Sequence, residues 1–216
     1  MTRIVKAGVL LAAAAAIWPL NLGANGRSMP SSSPTMREMT PEEMARDVYN
    51  SGVRHKDSGL RNETKDPKKA KSEYEKALKD FQRATELVPN MFQAYNGMGF
   101  TYRKMGDYDK ALEMYGTALQ MAPGFPDAIE YRGEAYLALN RIDDAKQAYM
   151  ELFASDRKQA EALMKAMGDW VTQRKADPAG VDPATVAAFE GWMKERAALA
   201  GQTVSMGLAS SHTAWQ

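Results

Sequence analysis

Few side chains of this sequence are of the types that carry out catalysis. The chain has two histidines, His55 and His212, and no cysteine among its 216 residues. The lack of cysteine excludes disulfides, thiolate metal sites and cysteine nucleophiles. A histidine-rich metal site is also excluded, and a Ser-His triad would depend on one of these two residues. We expect His55, on the apolar face of a helix, to be a packed histidine.

Other candidate motifs also have ordinary structural explanations. Gly97-Met98-Gly99 could begin a nucleotide-binding loop, but no predicted strand precedes it and Tyr102 stands where the third glycine is needed. Asp143 and Asp144 are adjacent acids at a helix start, which favours capping over metal binding. The 15 methionines could bind copper, but they form no dense cluster, so core packing is favoured. We therefore predict no enzyme activity, no cofactor and no metal.

Charge and composition are those of a globular protein. Lysine and arginine total 28 against 27 acidic residues, which gives a formal net charge of +1. Such a balance provides no strong field to attract nucleic acid or an anionic membrane. We expect a protein or peptide partner instead, with membrane contact only through the N-terminus.

Residues 1–26 have the order of a secretory signal peptide. Arg3 and Lys6 precede an uncharged apolar stretch from Ala7 to about Leu22, which is followed by small residues. The stretch is shorter than the roughly 20 residues of a membrane-spanning helix and contains Pro19. We predict a cleaved signal peptide and a periplasmic or secreted protein; the alternative is a membrane tether formed by the uncleaved segment.

The segments at either end of the predicted helical region lack periodicity. Residues 27–39 are rich in serine and proline and are expected to form a flexible linker. Residues 202–216 are polar and small, and we expect a flexible tail.

A period of 34 residues organises the middle of the chain. In one unit the pattern is Tyr95, Gly99, Tyr102, Ala111, Tyr115 and Ala118, and in the next it is Ile129, Gly133, Tyr136, Ala145, Tyr149 and Leu152. Each unit contains two stretches with the apolar spacing of an amphipathic helix. The spacing therefore predicts stacked helix pairs.

Glycines within and between these helices have separate roles. Gly99 and Gly133 cost about 1 kcal/mol each inside a helix, which a close approach of the partner helix would offset. Gly106 is expected to end its helix in the left-handed conformation, and Asn140 takes the same place one unit later.

This pattern resembles the tetratricopeptide repeat (TPR) family, whose aromatic, glycine, alanine and proline signature is met in full by residues 92–125. The resemblance covers residues 40–173. It implies an all-α fold, an α-solenoid of about three TPR helix pairs plus a C-terminal capping helix pair, whose last helix we place within residues 174–201. The unit from Pro126 departs from the signature at Arg132 and Arg157.

The first unit is irregular. Thr40, Pro41 and Glu43 predict a capping box at its start. The alanine of its second helix is expected at residue 64 but is found at Ala77, 13 residues later. This insertion near residues 57–70 is either a solvated extension of the helices or a basic contact arm formed by Lys65, Lys68, Lys69 and Lys71.

The resemblance also implies a binding surface, because the first helices of TPR units line a concave groove that receives a peptide. The positions carried over to this chain are Arg46, Tyr49, Asn50, Val53, Gln93, Asn96, Phe100, Arg103, Glu130 and Glu134. This surface suits a partner segment with a basic end and a hydrophobic anchor. A C-terminal chaperone tail is not expected, because Asp127 stands where chaperone-binding relatives carry lysine.

The predicted function is therefore a non-enzymatic adaptor that binds a partner segment in the groove, within the bacterial periplasm or envelope. Two alternatives stay open. The same residues could be only a solvated helix face, and the array could be a structural module that self-associates or docks within an envelope assembly.

Overall fold

The computed structural model describes residues 37–212, and side chains as far as residue 201. This part of the chain is all-α, with eight helices and no strand. The helices are α1 (Pro41–Asn62), α2 (Pro67–Leu87), α3 (Phe92–Lys104), α4 (Tyr108–Met121), α5 (Pro126–Ala138), α6 (Ile142–Ser155), α7 (Arg157–Ala176) and α8 (Pro183–His212).

Consecutive helices pack as pairs, α1 with α2, α3 with α4, α5 with α6 and α7 with α8, and each pair packs on the next. The repeating residues form the core of this stack. Ala77, Ala111 and Ala145 are fully buried, and so are the aromatic rings of Phe81 and Tyr115 four residues further on. The predicted α-solenoid of three helix pairs followed by a further pair is confirmed.

The glycines of the first helices allow the close approach that their spacing indicated. A Cβ added at Gly99 would lie 2.6 Å from the ring of Tyr115 in α4. A Cβ at Gly133 would lie 2.6 Å from the side chain of Leu163 in α7. In the third pair, the atoms nearest to the glycine belong to α7 and not to the aromatic residue of α6. That residue, Tyr149, packs against Trp192 of α8, with 5.5 Å between the ring centroids. The C-terminal pair is therefore anchored on an aromatic residue of the repeat.

Helix ends follow the residue types at the turns. Gly106 has a φ of 83° and Asn140 a φ of 57°, so both adopt the predicted left-handed conformation. The backbone N–H of Lys110 donates to Asp107, which caps α4. The capping box at Thr40 is present, with the backbone N–H of Glu43 donating to the Thr40 hydroxyl at 3.2 Å.

The insertion in the first unit lengthens both of its helices. α1 and α2 have 22 and 21 residues, whereas α3 and α4 have 13 and 14. Asp66 caps α2, since its carboxylate accepts a hydrogen bond from the Lys69 backbone N–H at 3.0 Å. The lysines of the suggested basic arm are all exposed: Lys65, Lys68, Lys69 and Lys71. The extension is therefore helical, with a charged outer surface.

The expectation of an apolar environment for His55 is wrong. Its Nδ1 atom lies 2.9 Å from a carboxylate oxygen of Glu73, and its Nε2 atom lies 3.9 Å from Asp80. The ring is one-third exposed and links α1 to α2. Glu73 and Asp80 lie 6 and 13 residues after Pro67 at the start of α2, in the part of the unit that the insertion shifts, so the repeat pattern did not place them.

The last helix begins where its sequence indicates but ends later. Asp182 caps α8, which starts at Pro183, within the predicted range of residues 174–201. α8 also continues beyond residue 201 to His212, so the prediction of a flexible tail is wrong for residues 202–212. These residues include no proline, so each backbone N–H can continue the helical hydrogen bonds. The rings of Trp170 and Phe189 join α7 to α8, at 5.6 Å between centroids.

The predicted signal peptide 1–26 and most of the predicted linker 27–39 lie outside the described residues, as do residues 213–216. Among the helices of residues 37–212, none combines the length and the apolarity needed to cross a membrane.

Candidate functional site

The candidate site is the surface formed by the first helix of each pair. α1 contacts α3, α3 contacts α5 and α5 contacts α7. We call this surface the groove. It contains two cavities, one between the N-terminal halves of α3 and α5 and the neighbouring part of α1, and another near the C-terminal ends of these helices and α7.

The smaller cavity has a volume of about 110 Å³, and five of its eleven lining residues are aromatic. Five residues predicted from the sequence line it together: Tyr49, Val53, Gln93, Asn96 and Phe100. Phe125, Asp127 and Tyr131 of the third unit complete its wall. Its size suits one side chain of a partner.

An aromatic pair joins α3 to α5 beneath the groove. The rings of Phe100 and Tyr131 meet edge to face, with centroids 5.2 Å apart. The guanidinium of Arg103 lies 5.2 Å from both ring centroids, a distance at which cations are attracted to aromatic faces. Phe100 is 6% exposed, so its ring is a packing residue of the groove floor and not an open contact.

Arg103 also connects the two helices by charge. Its guanidinium donates to the carboxylate of Glu134, and the two side chains are 13% and 25% exposed. Burial opposes the charge of Arg103, but Glu134, Tyr115 and Glu130 together outweigh it and raise the pKa of the guanidinium. The pair is therefore a fixed ionic link across the groove.

Glu130 is unusual for this site because its side chain is ionisable and yet only 4% exposed. Burial, and then the negative charge of Glu134, raise the pKa of its carboxyl well above the usual range, which Arg103 offsets in part. A buried group with a shifted pKa in a cleft is typical of functional sites. Here it lies one helical turn from Glu134, on the acidic side of the groove.

Asp127 adds to the acidic side. Its carboxylate accepts a hydrogen bond from the side chain of Gln159 at the start of α7. Burial, and then the charge of Asp127, raise the pKa of the Tyr49 hydroxyl across the groove. Asp127 and Glu134 thus give the α5 side of the groove a negative character.

The larger cavity has a volume of about 620 Å³. Arg103 and Glu134 line it, and α7 contributes a wall of Ala166, Asp169, Trp170, Gln173 and Arg174. α7 had been predicted as the start of the cap only. It therefore has a second role, as the fourth helix of the groove.

The sequence-predicted residues are distributed unevenly over this surface. Seven of the ten line one of the two cavities. Glu130 is buried, and Arg46 and Asn50 are exposed on α1 and line neither cavity.

Sequence reasoning missed several residues of the groove. Tyr131 stands one period after Gly97, so the repeat pattern did not indicate an aromatic ring there. Lys56 lines the smaller cavity, with its ammonium 5.2 Å from the Phe100 ring. Trp170 stands one period after Tyr136, and this signal could have identified α7 as a groove helix.

In residues 37–201 no group of three or more histidine and acidic side chains is placed to hold a metal ion.

Two sequence profiles of the family described as tetratricopeptide repeat match the chain, one over residues 59–124 and the other over residues 102–167. Together they cover residues 59–167, from the first helix pair to α7. A search of curated proteins gives no match.

Solved structures with similar folds are also TPR domains. The first TPR domain of human RPAP3 is 14% identical, with a TM-score of 0.47 over 60% of this chain and 96% of that domain. The Sgt2 TPR domain of Aspergillus fumigatus is 20% identical, with a TM-score of 0.45 over 61% of this chain and 84% of that one. The first TPR of Spaghetti (RPAP3) bound to the HSP90 peptide SRMEEVD is 15% identical, with a TM-score of 0.43 over 56% of this chain and 94% of that one.

Proposed function

The chain belongs to the tetratricopeptide repeat family, and from this premise we propose that it is a non-enzymatic adaptor that holds a segment of a partner protein in its groove. The observation that carries the proposal is the smaller cavity. It brings side chains of α1, α3 and α5 around a space of about 110 Å³.

The groove has the chemistry of a peptide-binding surface. Aromatic rings line the smaller cavity, and acids and bases occupy opposite sides. Lys56 and Arg103 lie on α1 and α3, and Asp127 and Glu134 lie on α5. Such an arrangement fixes the direction of a bound segment, because charged side chains of the partner meet the opposite charge in only one orientation. A hydrophobic side chain in the smaller cavity would supply the anchor.

A photocrosslinking experiment tests this proposal. A photoreactive phenylalanine analogue replaces Gln93, which lines the smaller cavity, or Gln120, an exposed glutamine of α4 outside both cavities. Crosslinking is carried out in native cells. We expect a discrete adduct from position 93 that is absent or much weaker from position 120. Equal adducts from both positions, or none from position 93, would refute groove binding.

A pair of matched double variants completes the test. Lys56→Glu/Gln93→Arg changes the groove, and Lys79→Glu/Gln120→Arg makes the same changes at exposed positions of α2 and α4. We expect the first variant alone to lose the adduct formed by the wild type, with the photoreactive residue placed at Val53 in all three proteins. Circular dichroism of both variants verifies that they fold.

We further propose that the protein works in the periplasm. The support is the order of residues 1–26, with basic residues before an uncharged apolar stretch and small residues after it. Export also agrees with a core that uses no cysteine, since repeat packing alone then stabilises the fold. Intact mass of the mature protein, together with cell fractionation, tests this. A full-length chain in the cytoplasmic fraction would refute it.

A further inference from the structure

The larger cavity has an excess of hydrogen-bond donors. Most of its charged lining is already paired. Lys104 lies 3.1 Å from Glu63, Arg103 pairs with Glu134, and Asp169 lies 2.7 Å from Lys165 outside the cavity. The acids of the lining are therefore neutralised by neighbouring cations.

Arg174 is different. It has no carboxylate partner among the described residues, and its Nε donates a 3.2 Å hydrogen bond to the side-chain oxygen of Asn140. Its guanidinium lies 5.5 Å from the ring centroid of Trp170, which also lines the cavity. The other guanidinium N–H groups of Arg174 are left for an additional acceptor.

The charges of the residues that line the larger cavity restrict the charge that a ligand can carry. Arg103, Lys104 and Arg174 oppose Glu63, Glu134 and Asp169 in the lining, and Asp169 is shared with Lys165. One cation therefore remains without a carboxylate, which suits one negative charge. A phosphate, with a charge near −2, would leave one negative charge without a cation in the same cavity.

We propose that this cavity binds the side-chain carboxylate of an aspartate or glutamate in the partner segment, with Arg174, held over the Trp170 ring, as its charge partner. The inference rests on the proposed groove function and adds a second contact to it. A partner segment would then carry a hydrophobic side chain for the smaller cavity and an acidic one for the larger cavity.

Selection from a display library of randomised twelve-residue peptides tests the proposal. The full chain is used as wild type, as Arg174→Gln, and as Arg83→Gln, which alters an exposed arginine of α2 outside both cavities. We expect the wild type and Arg83→Gln to enrich peptides with an acidic residue at a fixed spacing from a hydrophobic one. Arg174→Gln should lose the acidic preference and keep the hydrophobic one.

The outcomes separate the two proposals. If the folded wild type enriches no peptide, the groove function is refuted. If it enriches peptides without an acidic preference, or if Arg174→Gln keeps that preference, only the carboxylate site is refuted.

Titration of an enriched peptide then identifies the source of the carboxylate. We expect its Glu→Gln or Asp→Asn version to bind the wild type at least about tenfold more weakly, as for loss of a charge-assisted hydrogen bond. The same change should have little effect on binding to Arg174→Gln. Amidation of the peptide C-terminus should have little effect on either protein. A loss on amidation alone would refute a side-chain carboxylate and indicate a terminal one.

Discussion

The guanidinium of Arg103 in α3 pairs with the carboxylate of Glu134 in α5, and the same guanidinium lies against the rings of Phe100 and Tyr131. One side chain therefore connects two repeats by charge and by ring contact. It also separates the aromatic smaller cavity from the larger cavity. The position of Arg103 thus determines how the two halves of the groove are joined.

Replacing this arginine tests how much it contributes to the stability of the fold. Arg103→Met keeps much of the side-chain length but leaves Glu130 and Glu134 without their cation. We expect a loss of about 2–4 kcal/mol in the free energy of unfolding at pH 7, because removing one partner of a buried pair leaves an uncompensated charge. Urea unfolding followed by circular dichroism measures the loss.

Arg141→Met is the matched control. Arg141 also forms an ion pair, 2.7 Å from Asp144, and lies over an aromatic ring, that of Tyr136. However, its side chain is 49% exposed. Exposed pairs contribute about 0–1 kcal/mol, so we expect a small effect. Equal losses in the two variants would show that the groove pair has no special role.

Glycine packing between the helices of a pair gives a second prediction. Gly99→Ala should lower the free energy of unfolding by about 1–3 kcal/mol, because the added methyl group would overlap the buried ring of Tyr115. Gly116→Ala, in the middle of α4, should instead stabilise by about 0.5–1 kcal/mol, since nothing lies within 4 Å and alanine favours the helix. Thermal and urea unfolding compare the two variants. A stabilised Gly99→Ala would contradict the packing argument.

The contact between α1 and α2 around His55 gives a prediction about the stability of the protein at acidic pH. Lys76 first, and then His55, lower the pKa of the Glu73 carboxyl to about 2. Because this value lies below the unfolded one, the stabilisation from Glu73 is present above about pH 4.3 and is lost as the pH falls toward 2. We expect Glu73→Gln to unfold with a weaker pH dependence than the wild type between these values. Exposed Glu75→Gln serves as the control and should follow the wild type.

The fold could be predicted from the sequence because its core consists of repeating residues. Ala111, Tyr115 and their counterparts recur at a spacing of 34, and a recurring small or aromatic residue on one helix face indicates a packing contact. Gly106 and Asn140 likewise mark the turns, since few residues adopt positive φ.

The groove could be predicted only in part, because its properties depend on residues that do not repeat. The raised pKa of Glu130 depends on its burial and on Glu134 of the same helix, and Arg103 of the preceding repeat offsets it in part. Tyr131 replaces a glycine of the preceding unit, and α7 carries Met167 where the preceding first helices have Gly99 and Gly133. Repeat spacing fixes the positions that face the groove, whereas their chemistry depends on contacts between units.

Glu130 provides the last prediction, since its carboxyl is buried beside another carboxylate. Its pKa in the folded state is raised by burial and by Glu134, above the unfolded value of about 4.3. A group of this kind contributes its full stability below the unfolded pKa, and the contribution is lost as the pH rises through the folded pKa. Glu130→Gln should therefore be more stable than the wild type at pH 7–8, by about 1–3 kcal/mol, and equal to it near pH 4. Urea unfolding of both proteins between pH 4 and 8 measures the difference, with exposed Glu75→Gln as the control. A difference that does not grow with pH would mean that Glu130 is not held in its neutral form by the fold.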